Sequence, residues 1–146
     1  MMSLEENKAL VRQMYELMNR KELDAAHEFL SPGFQMETLT REQLIQLDIM
    51  YFNAFPDAKA VMLDMVAEGD KVVFIVNGTG THTGGPYMGI QPTGKKIDIT
   101  NTWLVRIVDK KIVEWKGTGS FVILLQQLGV MPAIEEAIQA YNDSLK

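Results

Sequence analysis

Residues 71–83 read KVVFIVNGTGTHT and residues 97–107 read IDITNTWLVRI. In the second stretch Ile97, Ile99, Asn101, Trp103, Val105 and Ile107 share one face, while Asp98, Thr100, Thr102 and Arg106 take the other. That two-residue period is the pattern of a half-buried strand. The first stretch starts apolar on both faces (Val72, Phe74, Val76; Val73, Ile75). Between the two, Gly85-Pro86, Gly89, Pro92 and Gly94 mark a loop. Upstream, Val61, Leu63 and Met65 alternate with Met62, Asp64 and Val66 before a turn at Glu68-Gly69-Asp70. Downstream, a turn through Val108-Asp109-Lys110-Lys111 leads into a last strand on which Val113 and Trp115 share a face. A run of long antiparallel strands therefore occupies the middle of the chain.

Helical patterns flank that run. Ser3-Leu4-Glu5-Glu6 is a capping box, and Leu10, Met14 and Leu17 follow at helical spacing up to about Asn19. A second helix is expected over residues 22–30, burying Leu23, Ala26, Phe29 and Leu30 and stopping at Ser31-Pro32-Gly33. Phe34 to Thr38 fits a short strand. Thr40 and Gln43 form another capping box, opening a helix that runs to about Ala54, and Pro56 ends it. Ser120 is expected to cap a short helix ending at Gly129, and Pro132 opens a terminal helix with Ile134, Ala137, Ile138, Tyr141 and Leu145 on one side. Helices, then strands, then helices give an α+β fold, read as one domain over residues 1–146. A bent antiparallel sheet with helices over its concave face makes a pocket of the size small molecules use.

Composition narrows the chemistry. The chain has 146 residues, with 14 Lys and Arg against 19 Asp and Glu, a net charge of −5. Nucleic acid and anionic membranes need a basic footprint, so neither is expected as a partner. No apolar run approaches the roughly 18 residues of a spanning helix. The first residues carry acids and no apolar segment of a secretion signal, so the expected location is the cytoplasm. There is no cysteine and there are two histidines, His27 and His82, which excludes disulfides, thiolate nucleophiles and multi-histidine metal sites. No metal or cofactor is expected. Carboxylate, tyrosine, amide or single-histidine chemistry remains.

Several side chains stand out against their surroundings. Asn77 and Asn101 lie on otherwise apolar strand faces, where a buried amide needs a partner or a ligand. Trp103 and Trp115 fit either core filling or pocket lining, and a buried indole N–H calls for an acceptor. Tyr51, late in the third helix, falls at the expected pocket mouth. His82 fits a structural histidine bonding to a loop or to a partner copy, and is also a candidate ligand contact. His27, beside Glu28, reads as solvated, and Asp48 and Asp64 read as solvent-facing.

The sequence resembles the SnoaL-like, polyketide cyclase-like branch of the nuclear-transport-factor-2-like superfamily. The likeness rests on residues 6–26 (ENKALVRQMYELMNRKELDAA), 54–57 (AFPD), 68–73 (EGDKVV), 80–84 (GTHTG), 89–95 (GIQPTGK) and 124–129 (LLQQLG), in order along nearly the whole chain. The GTHTG and GIQPTGK pieces together are its most specific part. The resemblance implies a cone-shaped, cystatin-like α+β barrel, a deep apolar pocket, a homodimer formed through the sheet, and cofactor-free aldol closure by a pocket acid or base. It also implies an Asp at the position of Ser120, Arg at Ile75, and Asp or His at Trp103, so three polar pocket positions have changed in this chain. By likeness to the ketosteroid-isomerase relatives of the superfamily, Glu37 after the first strand becomes the candidate acid or base. Tyr15 on the first helix becomes the candidate enolate donor. The expected function is binding, and cyclisation, isomerisation or hydrolysis, of a hydrophobic cyclic carbonyl compound. The alternative is a non-catalytic ligand-binding or dimeric interaction module. Tyr15 and Glu37 are thus the catalytic candidates, and Tyr51, Asn77, His82, Asn101, Trp103, Trp115 and Ser120 the ligand contacts.

Overall fold

The computed structural model describes residues 2–146. Helix α1 spans Leu4–Asn19, and its N-terminus carries the capping box in full. The Ser3 hydroxyl accepts from the Glu6 amide and the Glu6 carboxylate accepts from the Ser3 amide, each at 3.1 Å. Its apolar stripe buries Leu10, Val11 and Met14. Helix α2 is one short turn, Leu23–His27, rather than the longer helix expected from the sequence. The chain from Leu30 to Met36 is instead strand β1. Pro32 and Gly33 sit inside this strand, where its register against its neighbour slips between Leu30 and Gln35. A bulge of that kind tolerates a residue that cannot donate to the ladder.

A two-residue turn, Glu37-Thr38, joins β1 to the short β2, Leu39–Thr40. Helix α3 follows, Arg41–Ala54, with the Thr40–Gln43 capping box at its start. Strands β3 (Lys59–Glu68), β4 (Lys71–Thr81), β5 (Lys96–Val108) and β6 (Lys111–Thr118) are joined antiparallel. Helices α4 (Phe121–Gln127) and α5 (Ile134–Ser144) end the chain. The sheet order is β2-β1-β6-β5-β4-β3, and β1 runs parallel to β6 while every other pair is antiparallel.

Register fixes which side chains meet the helices. Phe74 pairs with Trp103, Val76 with Asn101, Gly78 with Ile99 and Gly80 with Ile97, and these residues form the concave face. The alternate pairs, Val73–Leu104, Ile75–Thr102 and Asn77–Thr100, form the convex face. Bulges in β3, between Met62 and Asp64, and in β6, at Val113 opposite Arg106 and Ile107, add local twist to the curved sheet. Small residues on β4 let α3 approach. A Cβ on Gly80 would stand 3.0 Å from the Phe55 Cβ.

The core has two parts. Under α1, Leu10, Val11 and Met14 pack with Phe34, Phe74, Val105 and Trp115. Beyond the end of α3, Ala54, Phe55, Ile97, Ile99, Leu124 and Leu128 form a second cluster. Helix α3 itself has one fully buried residue, Ala54, despite a stripe of Leu44, Leu47, Tyr51 and Phe52. That stripe faces a cavity rather than packed side chains.

Candidate functional site

The cavity lies between α1, α3 and the concave face of the sheet, and holds about 290 Å³. Met14 and Met18 of α1 and Leu44 and Leu47 of α3 supply flexible apolar walls. The far wall is Val76, Ile99, Trp103 and Trp115 from the strands, closed by Phe121 and Leu124 at the start of α4. Two tryptophans meet edge to face, with ring centroids 6.2 Å apart, and Tyr15 sits 6.4 Å from Trp115. Tyr51 stacks near Tyr87 at 6.0 Å across the mouth. The shape suits a flat apolar molecule held between aromatic edges.

Of the expected contacts, Tyr15, Tyr51, Asn101, Trp103, Trp115 and Ser120 all line this cavity. Asn101 has a defined orientation. Its Oδ1 accepts from the Ser120 amide at 2.8 Å, which turns its Nδ2 donors to the remaining side. The Ser120 hydroxyl donates to the Thr100 carbonyl at 2.6 Å and makes no cap for α4. The position at which the resemblance implies an acid therefore holds a hydroxyl tied to the strand. Trp115 is 6% exposed, and its indole N–H is buried without a hydrogen-bond partner among the described residues.

Three expected residues lie elsewhere. Glu37 is exposed at the tip of the β1–β2 turn with φ +53°, outside the cavity lining. The tight turn, with Met36 paired to Leu39, carries its side chain away from the sheet, so it is no base for a bound ligand. Asn77 belongs to the convex face, where its Nδ2 donates to Asp98 Oδ1 at 2.6 Å. Its neighbours on that face made it look buried, but they are half-exposed valine and isoleucine on the outside of the sheet. His82 is fully buried and does not line the cavity. Its Nδ1 accepts from the Thr93 amide at 3.3 Å, which leaves Nε2–H to donate to the Gly85 carbonyl at 3.1 Å. The histidine thus latches the loop between β4 and β5, with its ring 5.1 Å from that of Phe55.

The structure also brings in two residues read as solvated. Asp48 lines the cavity, and its Oδ2 lies 2.8 Å from Nε2 of His27, which is 3% exposed. Arg41 sets this meeting. Its guanidinium donates to the His27 carbonyl at 2.9 Å and to the Leu30 carbonyl at 3.3 Å, clamping α2 and β1 to α3. Burial pushes the Asp48 carboxyl above the usual carboxylate range, and His27 pulls it part of the way back. Three phenols surround the site. Burial, then the charges of Asp48 and of Tyr51, hold the Tyr15 hydroxyl well above its ordinary value. Burial first, then Tyr87, Asp57 and Asp48, push Tyr51 up to about 12. Tyr87 is raised by burial and by Asp48. All three are protonated donors at neutral pH, arranged about one carboxyl group.

Both missed residues had a signal. Leu44, Leu47, Asp48, Tyr51 and Phe52 fall at i, i+3, i+4, i+7 and i+8, so Asp48 is an acid inside an apolar stripe. His27 stands one residue after Ala26 and three before Leu30, both buried in the core.

Residues 8–128 match the sequence profile of the SnoaL-like polyketide cyclases. The chain belongs to that family. Among solved structures, AclR of Streptomyces galilaeus, a candidate hydroxylase, is 29% identical with a TM-score of 0.84, over 98% of this chain and 93% of its own. IdmH of Streptomyces antibioticus, a candidate polyketide cyclase, is 27% identical with a TM-score of 0.73, over 85% of this chain and 99% of its own. A SnoaL-like protein from Jannaschia sp. CCS1, 23% identical over 86% of this chain and 93% of its own, shares the fold with a TM-score of 0.75. A search of curated proteins finds no match. AclR and IdmH are assigned to different reaction types, so the residues of this SnoaL-like cavity have to choose among chemistries. No helix among the described residues is long and apolar enough to cross a membrane. No cluster of three or more His, Asp or Glu side chains among them converges as a metal site.

Proposed function

We propose that this SnoaL-like protein binds a flat, hydrophobic, carbonyl-bearing ring compound and moves a proton on it without redox or metal chemistry. The observation that carries this reading is the cavity itself: apolar and aromatic walls, with Asn101, Ser120, Lys59, three phenols and one carboxyl group as its few polar points. Apolar lining supplies affinity, while isolated polar groups fix orientation. Asn101 Nδ2 and the phenolic hydroxyls are donors suited to a carbonyl oxygen and to the enolate that replaces it when a neighbouring C–H is lost. Isomerisation and intramolecular aldol closure both begin with that loss.

One observation favours a second reading, a binding protein without catalysis. Ser120 replaces the acid the family pattern places there, and its hydroxyl is committed to Thr100. The two readings share the cavity and part at Asp48.

The cavity is tested with N-phenyl-1-naphthylamine, a neutral aromatic probe whose emission rises in apolar sites. One probe per chain is expected, with energy transfer from Trp103 and Trp115. Gly78→Val fills the same space. A Cβ at Gly78 lies 3.5 Å from the Tyr51 hydroxyl, in ordinary contact, and the valine methyls extend beyond it; with a native circular dichroism spectrum and melt as the control for folding, this variant is expected to bind the probe at least ten-fold more weakly. Equal binding by the two proteins, or none by the native chain, overturns the pocket reading.

We also propose that two copies associate. The support is the amount of apolar surface left outside the core: Ile134, Ile138, Tyr141 and Leu145 on α5, and Val61, Leu63 and Val66 on the outer side of β3. Patches of this extent are uncommon on monomers.

A further inference from the structure

We propose that Asp48 is the acid–base group of this SnoaL-like cavity and that His27 is its positioning residue. The inference rests on the pocket reading above and adds the residue that does the chemistry. Asp48 lines the cavity on α3, far in sequence from Ser120, on a different wall. The site has therefore moved its carboxyl group to another element.

Geometry supports the assignment in three ways. Oδ2 is engaged by His27 Nε2 at 2.8 Å, so the carboxyl plane is fixed. Oδ1 makes no hydrogen bond among the described residues and is the oxygen left for a ligand. His27 is buried and held from behind through its own carbonyl by Arg41, so the pair is preorganised before anything binds. A solvent-facing carboxylate would be too weak a base for carbon; burial makes this one stronger. The titratable and charged groups about Asp48 are Tyr15 from α1, His27 from α2, Tyr51 from α3 and Tyr87 from the loop before β5, with Arg41 behind His27 and Lys59 of β3 lining the same cavity.

The step is a balanced proton transfer. Asp48 Oδ1 takes the proton from a carbon next to the ligand carbonyl, and the C–H electron pair moves into the enolate. A phenol or Asn101 Nδ2 donates a hydrogen bond to the enolate oxygen. In isomerisation, Oδ1 returns the proton to another carbon of the conjugated system. In ring closure, the enolate carbon attacks a second carbonyl of the same molecule, and the new alkoxide takes the proton from Asp48. Nothing is oxidised and no other reactant is consumed.

The assignment is tested with 5-nitrobenzisoxazole, a flat aromatic probe that reports on a base in an apolar site. Loss of its C3 proton breaks the N–O bond and releases a coloured phenolate. The native protein is expected to accelerate this reaction over buffer, with a rate that rises as Asp48 ionises. Asp48→Asn loses at least ten-fold of that rate while still binding N-phenyl-1-naphthylamine. Asp48→Glu recovers part of it. His27→Phe keeps a ring but removes the donor that holds the Asp48 carboxyl down, so its rate–pH profile moves to higher pH, a change that mere loosening of the fold would not give. Probe binding with no acceleration, or an Asp48→Asn variant as fast as the native chain, overturns the assignment and leaves the pocket standing. Failure of the native protein to bind N-phenyl-1-naphthylamine overturns the pocket reading instead.

Discussion

At the scale of single residues, the site depends on groups held where they are thermodynamically uncomfortable. The Asp48 carboxyl ionises less readily in the folded chain than in the unfolded one, chiefly because it is buried. A raised carboxyl group favours the native state fully only below its unfolded value of about 4, and that advantage is lost as pH rises through the folded value. Asp48→Asn removes the ionisation, so it should raise the melting temperature relative to the native chain at pH 7–8. The difference should vanish near pH 3.5, and a pH series of thermal melts reads it directly. A native chain that gained stability on Asp48 at neutral pH would contradict the burial argument. Gly117 is the opposite case, a residue needed for space. Its φ is +148°, and a Cβ there would stand 2.3 Å from the Thr102 carbonyl oxygen and 2.9 Å from the Trp103 ring. It allows β6 to lie flat against Trp103, so that the indole reaches the cavity. Gly117→Ala should cost about 2–4 kcal/mol in urea unfolding, the range for forced backbone shifts and strain combined.

At the scale of elements, the loop between β4 and β5 is held by one side chain. His82 joins Thr93 and Gly85 from both ring nitrogens, and its own backbone pairs with Lys95 and Gly94. His82→Ala should cost about 2–3 kcal/mol, from the lost ring and two unmade hydrogen bonds. It should also speed amide exchange in residues 83–95 well before α1 is affected. The strands, α1, α3 and both capping boxes were legible because each is local: alternation, helical spacing and a serine or threonine three residues before Glu or Gln. The parallel pairing of β1 with β6 was not, because a strand containing Pro32-Gly33 has no local pattern and is stabilised by its partner. Asn77 and Asn101 show the same limit. Each looked like an amide on an apolar face, and only the register decided that Asn101 faces the cavity and Asn77 the outside. Glu37 and Asp48 were misread in opposite directions, since the inference for Glu37 came from its place after a strand and not from its neighbours. The apolar stripe around Asp48 was in plain view in the sequence, and reading α3 by its face rather than by its ends would have found it.

At the scale of the whole molecule, the C-terminal helix is the unfinished part of the fold. No residue of α5 is buried, although Ile134, Ile138, Tyr141 and Leu145 form an apolar stripe, and Tyr141 is 64% exposed. A helix of 11 residues is marginal in water without a packed face, so something must cover the stripe for α5 to persist. Its flanks are acidic, with Glu135 and Glu136 in the first turn and Asp143 near the end. The outer sheet face of a second copy offers an apolar complement, Val61, Leu63 and Val66 exposed on β3, beside a face whose Arg106 and Lys116 are already paired with Asp70 and Glu114. Association through α5 therefore predicts more than a dimer. Removing residues 133–146, or introducing Ile138→Asp, should convert the dimer to a monomer in native mass spectrometry while leaving N-phenyl-1-naphthylamine binding intact, because no α5 residue lines the cavity. High salt should leave the native dimer intact, as expected for a contact made by apolar side chains. A native chain that is monomeric at micromolar concentration would remove the case for association altogether. A dimer that survives loss of α5 would place the interface on the bare sheet, with α5 stabilised by its own chain.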